Sequence, residues 1–289
     1  MPIHLPPVDP DNPKIMPTPE SRALCDQIFR EIFGDAQRRA IKRAAWIQKH
    51  RVADGIVRPK IYVYWGQGFH NSPAVVQRCK YEMQRFECDS DIAFLDDTNW
   101  CYYVDIPHDI MKSFSQNKVA FSDLLRVELL SKFGGIWADA TCYVSRNLTS
   151  QFNRMVGEGG LFVFNKGTGN RGDISNWFLA ARAGSYPMCL MREMLISYWK
   201  QYERPVHYFF FHQFFRRTYA RDADFRKVVD LAPDLGWDPR AMKAILLENY
   251  GSVSLEAEIE KSPVHKLSYK LPQNKINSKT ILASFVRGP

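Results

Sequence analysis

The sequence predicts an α/β fold, and three observations carry that expectation. Short apolar runs, KIYVYW at 60–65 and IAFL at 92–95, alternate with stretches of helical spacing. At 119–144 a helical run meets a glycine pair and then a short apolar strand. Carboxylates close these strands: Asp96 and Asp97 after the second, Asp139 after the third. Ligands of open α/β sheets bind at the carboxyl ends of strands, so Asp139 lies where chemistry is usually done.

Composition bounds the rest. A chain of 289 residues forms one large domain, or one domain with a helical elaboration. Its 45% hydrophobic and 24% charged residues are ordinary for a globular protein. Apolar runs are too short for the roughly 18 residues a transmembrane helix needs, so none is expected. The start, MPIHLPPVDPDNPK, has no apolar h-region, so a signal peptide is not expected either. The six cysteines show no CxxC spacing, which fits reduced thiols in a cytoplasmic protein better than a disulfide scaffold. A net charge of +8 suits nucleotide phosphates, anionic glycans or acidic lipid headgroups. No zinc finger, RNP-type motif or helix-turn-helix accompanies it, so nucleic acid is not an expected partner.

Along the chain, residues 1–18 hold six prolines and read as an extended arm. Residues 19–58 form a basic helical segment, with a helix over about 19–50 and Ala23, Ile28, Ile32 and Phe33 as its apolar stripe. Its second half, QRRAIKRAAWIQKHR, has two readings: an amphipathic surface resting on an anionic membrane, or a solvated helix packing Trp46 on the domain. The strand at 60–65 ends in a Gly66-Gln67-Gly68 turn, and Ser72–Phe86 is the next helix. Asp96 and Asp97 are either ligand groups or turn formers. A helix over 121–133 buries Phe121, Leu124, Leu125, Leu129 and Phe133, with Ser122 suited to its N-terminal end. Gly134 and Gly135 are suited to a left-handed stop, and Ile136-Trp137-Ala138 delivers Asp139, Ala140 and Thr141. Residues 161–167 read as strand and turn, 174–182 and 186–203 as helices, and HYFFFHQFFRR at 207–217 as an aromatic core helix. The remainder is helical to about Leu255.

Ser122, Asp123 and Arg126 share one helical face, as a local ion pair with a cap or as a ligand-facing edge. The glycine pair and the strand-end Asp139 favour the edge.

Ser122-Asp123-x-x-Arg126, Gly134-Gly135-Ile136-Trp137 and Asp139-Ala140-Thr141, in that order, resemble the sugar-nucleotide site of the capsular polysaccharide synthesis glycosyltransferases. These are relatives of the transferases with a DXD motif and of the glucosylating clostridial toxins. IYVYWGQG (61–68), SPAVVQRC (72–79), LDDTN (95–99), YVDIP (103–107), SNWFLAA (175–181) and HKLSYK (265–270) fall in the same order. The resemblance therefore covers roughly residues 60–270 and implies that 59–289 is a GT-A-like glycosyltransferase domain. Its Rossmann-type nucleotide-sugar-binding sheet would carry helical N-terminal and C-terminal elaborations.

The resemblance also implies roles. Trp65, Gln67, Ser122, Asp123, Arg126, Gly135, Asp139 and Lys266 would bind the nucleotide sugar, with Trp65 either stacked on the base or buried in the core. Asp139 would be catalytic, and Asn176, Trp177 and His212 would line the acceptor side. A divalent ion, Mn2+ or Mg2+, would be held by Asp139, Thr141 and His265. Thr141 stands where the pattern has its second acid, a neutral hydroxyl in place of a carboxylate. His265 and Lys266 would then either ligate the ion or neutralise the diphosphate directly. His207 is a second departure, where relatives often carry an acid before Tyr-Phe. The implied protein moves a hexose from a nucleotide-diphosphate sugar, such as a UDP-sugar, to a glycan or lipid-linked glycan acceptor, with retention of configuration. The implied setting is capsule or surface polysaccharide assembly, in the cytoplasm or peripherally on the inner membrane face. The rival readings are a toxin-like protein glycosyltransferase and a non-catalytic sugar-nucleotide-binding scaffold.

Overall fold

The computed structural model describes residues 5, 17–50, 59–115, 117–249, 251–271 and 277–287. Most of the 1–18 arm and the end of the basic segment, 51–58, lie outside the described residues. In chain order the elements begin with α1 Pro19–His50, β1 Ile61–Tyr64, α2 Ala74–Phe86, β2 Ile92–Leu95 and α3 His108–Met111. They continue with α4 Lys118–Phe133, β3 Gly134–Ala138, β4 Cys142–Val144, α5 Phe152–Val156, β5 Leu161–Asn165 and β6 Ile174–Arg182. The last are α6 Tyr186–Trp199, α7 Phe210–Arg221, α8 Ala223–Asp230, α9 Ala241–Ile245, α10 Leu255–Glu260, β7 Val264–Lys266 and α11 Ile281–Arg287.

The fold is mixed α/β, as expected. A five-stranded sheet has the order β2-β1-β3-β6-β5, and β4 pairs with β7 in a small second sheet. β1 is parallel to β2 and β3, while β5 and β6 are antiparallel. The arrangement is compatible with a GT-A-like, Rossmann-type fold. The chain divides into two compact units, one of residues 1–57, 101–135 and 156–232, the other of 58–100, 136–155 and 233–289. The division falls inside β3, after Gly135.

In the first unit α1 packs on α6 and α7. Cys25, Ile28, Phe29, Ile32, Ala36, Ala40, Ala44 and Ile47 recur every three or four residues and are buried. The small alanines let the helices approach closely. Ala23, expected in that stripe, is exposed. α4 begins earlier than expected: Asn117 is its cap, its side chain accepting from the Ala120 N–H at 3.0 Å. Ser122 therefore lies inside the helix, and Phe133 is 45% exposed at its end, not buried. α4 is otherwise buried nearly all round, and its buried Glu128 is paired. It accepts from Arg192 at 2.7 Å and Arg43 at 3.3 Å, while Glu193 accepts from Arg39 at 2.9 Å. These pairs tie α1, α4 and α6 together by satisfying buried charge.

Residues 174–182, expected to be helical, are the strand β6. The run Trp177-Phe178-Leu179-Ala180-Ala181 is buried throughout, and a strand covered on both faces loses the alternation that would distinguish it from a buried helix. Gly134 shows why glycines stand at the start of β3. Its φ is +69°, and an added Cβ would lie 2.5 Å from the Ala183 nitrogen and 2.8 Å from the Ala181 carbonyl oxygen. Only glycine fits so close to β6 in that conformation.

The second unit has its own apolar cluster. Val75 and Cys79 of α2, Tyr143 of β4 and Leu267 pack with Met242, Leu246, Ile281, Leu282 and Phe285. The C-terminal helices thus hold the β4–β7 ribbon against α2.

Candidate functional site

The second unit builds a polar cluster at the carboxyl end of β3. All five residues of that strand are buried, and the chain turns at once, with the Cys142 N–H donating to the Asp139 carbonyl at 2.8 Å. β4 follows, and β7 pairs with it so that Lys266 lies opposite Cys142. Backbone bonds from Lys266 N–H to Pro239 O (2.7 Å) and from Leu267 N–H to Thr141 O (2.9 Å) fix the register. The Lys266 ammonium then donates to Asp139 Oδ2 at 2.7 Å and to Thr141 Oγ1 at 2.8 Å. Trp137 donates its indole N–H to Asp139 Oδ1 at 3.1 Å. Both carboxylate oxygens are held, yet the side chains of Lys266 and Asp139 remain 25% and 29% exposed. A ligand can reach them.

The end of β1 lies in the same unit. Trp65 donates its N–H to Leu95 O at 2.9 Å, and the Gly68 N–H returns to Trp65 O at 2.9 Å, closing the turn. The Trp65 ring meets Tyr269 edge-on, at 5.3 Å and 86°. Gln67 is exposed in the turn. The Tyr64 hydroxyl donates to Asp97, and burial together with that carboxylate pushes the phenol's pKa well up. Asp96 is a turn former: its Oδ1 accepts from the Thr98 N–H at 2.8 Å and the Thr98 hydroxyl at 2.6 Å.

The first unit brings Ser122, Asp123, Arg126 and Asn176 together. Arg126 pairs with Asp123 at 2.9 Å, with the two side chains 4% and 6% exposed. It also donates to the Ser122 carbonyl (3.1 Å), the Ser122 hydroxyl (3.0 Å) and the Asn176 carbonyl (3.0 Å). Asn176 in turn donates from its side chain to Asp123 at 2.9 Å. Trp177, the next residue of β6, stacks on Phe164 at 5.1 Å and 17°. The β5–β6 register slips between Val163 and Phe164, opposite residues 175–179, and in that irregular stretch Asn176 turns to Asp123 while Trp177 turns to Phe164, so the two do not form one acceptor wall. His212 sits on α7 with its ring edge-on to Phe209 and Phe211. His207 accepts from the Phe209 N–H at 3.0 Å. Gly135 has a φ of +100°, in the region that favours glycine.

His265 points elsewhere. It lies opposite Tyr143 in the β4–β7 pair, is fully buried, and donates from Nε2 to the Ile259 carbonyl at 3.0 Å. Burial lowers its pKa, opposed by that carbonyl, so the imidazole is held neutral. The neighbouring Lys266 takes the other face of the strand.

The metal implied by resemblance fits this donor set poorly. Asp139 is one carboxylate with an ammonium already on it, Thr141 is a neutral hydroxyl bonded to the same ammonium, and His265 faces away. A dication on Asp139 would stand about 4 Å from the ammonium, a repulsion of about 8 kcal/mol at an effective dielectric near 20. Among the described residues no group of three or more His, Cys, Asp or Glu side chains is arranged to hold a metal ion.

A cavity of about 500 Å³ in the first unit, lined by residues including Ile41, Ala45, Tyr186, Lys227 and Leu231, contains none of the residues singled out from the sequence. Among the described residues no helix is long and apolar enough to cross a membrane.

The lysine-clasped carboxylate stands at a strand's carboxyl end, the place where open α/β sheets generally bind ligands. The family model of the capsular polysaccharide synthesis proteins matches residues 23–285, and the chain belongs to that family. Membership points to a role in capsular polysaccharide synthesis, with a sugar donor and a glycan acceptor as its general partners. Neither a curated protein nor a solved structure matches the chain.

Two contributors went unassigned in the sequence. Trp137 stands two residues before Asp139, the spacing that puts side chains on one strand face, so its hydrogen bond was within reach of period-two reasoning. Tyr269, within HKLSYK, gave no signal that it would meet Trp65.

Proposed function

We propose that the protein is a glycosyltransferase, moving a hexose from a nucleoside-diphosphate sugar, with UDP the expected carrier, to a glycan or lipid-linked glycan acceptor in capsule or surface polysaccharide assembly. The observation that carries this reading is the Asp139–Lys266–Thr141 cluster at the end of β3, in a chain of the capsular synthesis family. In the transfer, the bond between the anomeric carbon and the diphosphate oxygen breaks. A bond to an acceptor hydroxyl oxygen forms, and the hydroxyl proton passes to the departing diphosphate. Negative charge grows on that diphosphate, and preorganised donors aimed there lower the barrier. Lys266 and Thr141 supply a cation and a hydroxyl. Asp139, held by Trp137, faces the donor sugar and fixes the ammonium. Trp65 and Tyr269 offer aromatic surface to the base. Retention of configuration is assigned from the resemblance.

The test is release of free nucleoside diphosphate from a panel of UDP-, GDP- and dTDP-sugars. Turnover of one donor is expected. A panel with neither turnover nor calorimetric binding refutes the reading. Binding without turnover, even with glycan acceptors present, favours the scaffold reading that Thr141 raises.

α1 supports a peripheral contact with an anionic membrane. Arg38, Lys42, Trp46 and Lys49 recur on its exposed side, and Trp46 is 61% exposed. A basic stripe carrying an exposed aromatic suits a lipid headgroup layer. Sedimentation with vesicles containing anionic lipid should capture the protein, and Trp46→Ser should weaken capture. Equal recovery with neutral vesicles would refute the contact.

A further inference from the structure

Resting on the donor-site reading above, we infer that Lys266 takes the place of a divalent ion: its ammonium meets the donor diphosphate directly, and donor binding needs no metal. The ammonium stands between the side chains at the first and third positions of Asp139-Ala140-Thr141, 2.7 Å from one and 2.8 Å from the other. That is the place a cation bridging the motif would take. The third-position residue agrees with the substitution. A threonine hydroxyl is a weak ligand for a hard dication but a good acceptor for an N–H donor, and it accepts one here.

The lysine is also built in, not incidental. Its backbone is pinned between β4 and Pro239, so the side chain leaves a fixed strand position instead of a loop. Asp139 is pinned from its other side by Trp137, which leaves the pair little freedom to rearrange. The Lys266 side chain is one quarter exposed, which leaves room for a phosphate oxygen to approach it. The histidine that could have completed a metal site is buried on the opposite face and bonded to Ile259. A lysine is a compact point charge and a good phosphate partner.

Calorimetry with UDP, in EDTA and then in MnCl2, tests this on the whole chain. UDP should bind in both with dissociation constants within about twofold of each other. Lys266→Met should weaken UDP by about tenfold or more while leaving UMP, which lacks the β-phosphate, nearly unchanged. Lys266→Arg keeps a cation and should retain most of the UDP affinity, which separates loss of charge from loss of fold. UDP binding that appears only with Mn2+ overturns the inference, and so does UDP affinity indifferent to Lys266→Met; the donor site itself survives both results. If UDP, GDP and dTDP all fail to bind in either buffer, the donor-site reading fails and this inference falls with it.

Discussion

Replacing Asp139 by asparagine is nearly isosteric, yet the structure says it is not innocent. Asp139 accepts at both oxygens, from Trp137 Nε1 at 3.1 Å and from Lys266 Nζ at 2.7 Å. Asparagine has one oxygen and one NH2, so in either orientation a donor faces a donor. The Trp137 side is buried, and an unmet group there costs about 1–3 kcal/mol. The Lys266 side is partly exposed, where an ion pair contributes about 0–1 kcal/mol. The variant should therefore lose about 1–3 kcal/mol and stay folded. Turnover should fall further, because the ammonium loses the carboxylate that aims it; removing one preorganised donor at a developing anion costs about 10²–10³ in kcat. Urea unfolding beside nucleoside diphosphate release separates the two effects. Wild-type turnover in Asp139→Asn would refute the site assignment. A loss above about 4 kcal/mol would refute the partly exposed cluster as a ligand site and make it a structural one.

Three further outcomes follow from the geometry. Gly134→Ala places a methyl 2.5 Å from a backbone nitrogen at a φ of +69°, and should cost about 3–5 kcal/mol by denaturant titration, so a loss under about 1 kcal/mol would refute the close approach to β6. Arg126→Ala leaves Asp123 buried without its cation and should cost about 3–5 kcal/mol, so any loss of activity should come with a lower Tm; activity lost at full stability would contradict the structural part of this role. His265 has a folded pKa below its unfolded value near 6.5, so the unfolded chain binds the extra proton first and stability declines as pH falls through that window. His265→Gln keeps a donor for Ile259 and should remove up to about 1.4 kcal/mol per pH unit of that decline. Unfolding curves at pH 7.5 and 5.5 with equal slopes in the two proteins would refute the buried neutral imidazole.

Much of the fold was legible because local signals agreed with it. β1, α2, β2, α6 and α7 lie where apolar period and turn residues put them, and the glycine pair marked the passage from α4 to β3. The misreadings have particular causes. Asn117 outcompeted Ser122 as the cap because its side chain reaches the Ala120 N–H while Ser122 donates back to Val119. The cut of the chain into two units, each assembled from three separate stretches, left no trace in local pattern. Contacts such as Trp65 with Tyr269 depend on that assembly and not on neighbours in sequence.

One period decides most of what else was missed around the candidate site. In a strand, residues two apart share a face and residues one apart do not. Trp137 and Asp139 are two apart, and the indole orients the carboxylate. His265 and Lys266 are one apart, so only the lysine reaches Asp139 while the histidine goes to the core. Asn176 and Trp177 lie where β6 slips its register against β5, and there the Asn176 amide joins Asp123 while the indole joins Phe164. HKLSYK read as a strand puts the histidine and the lysine on opposite faces, and the register with β4 then selects the lysine.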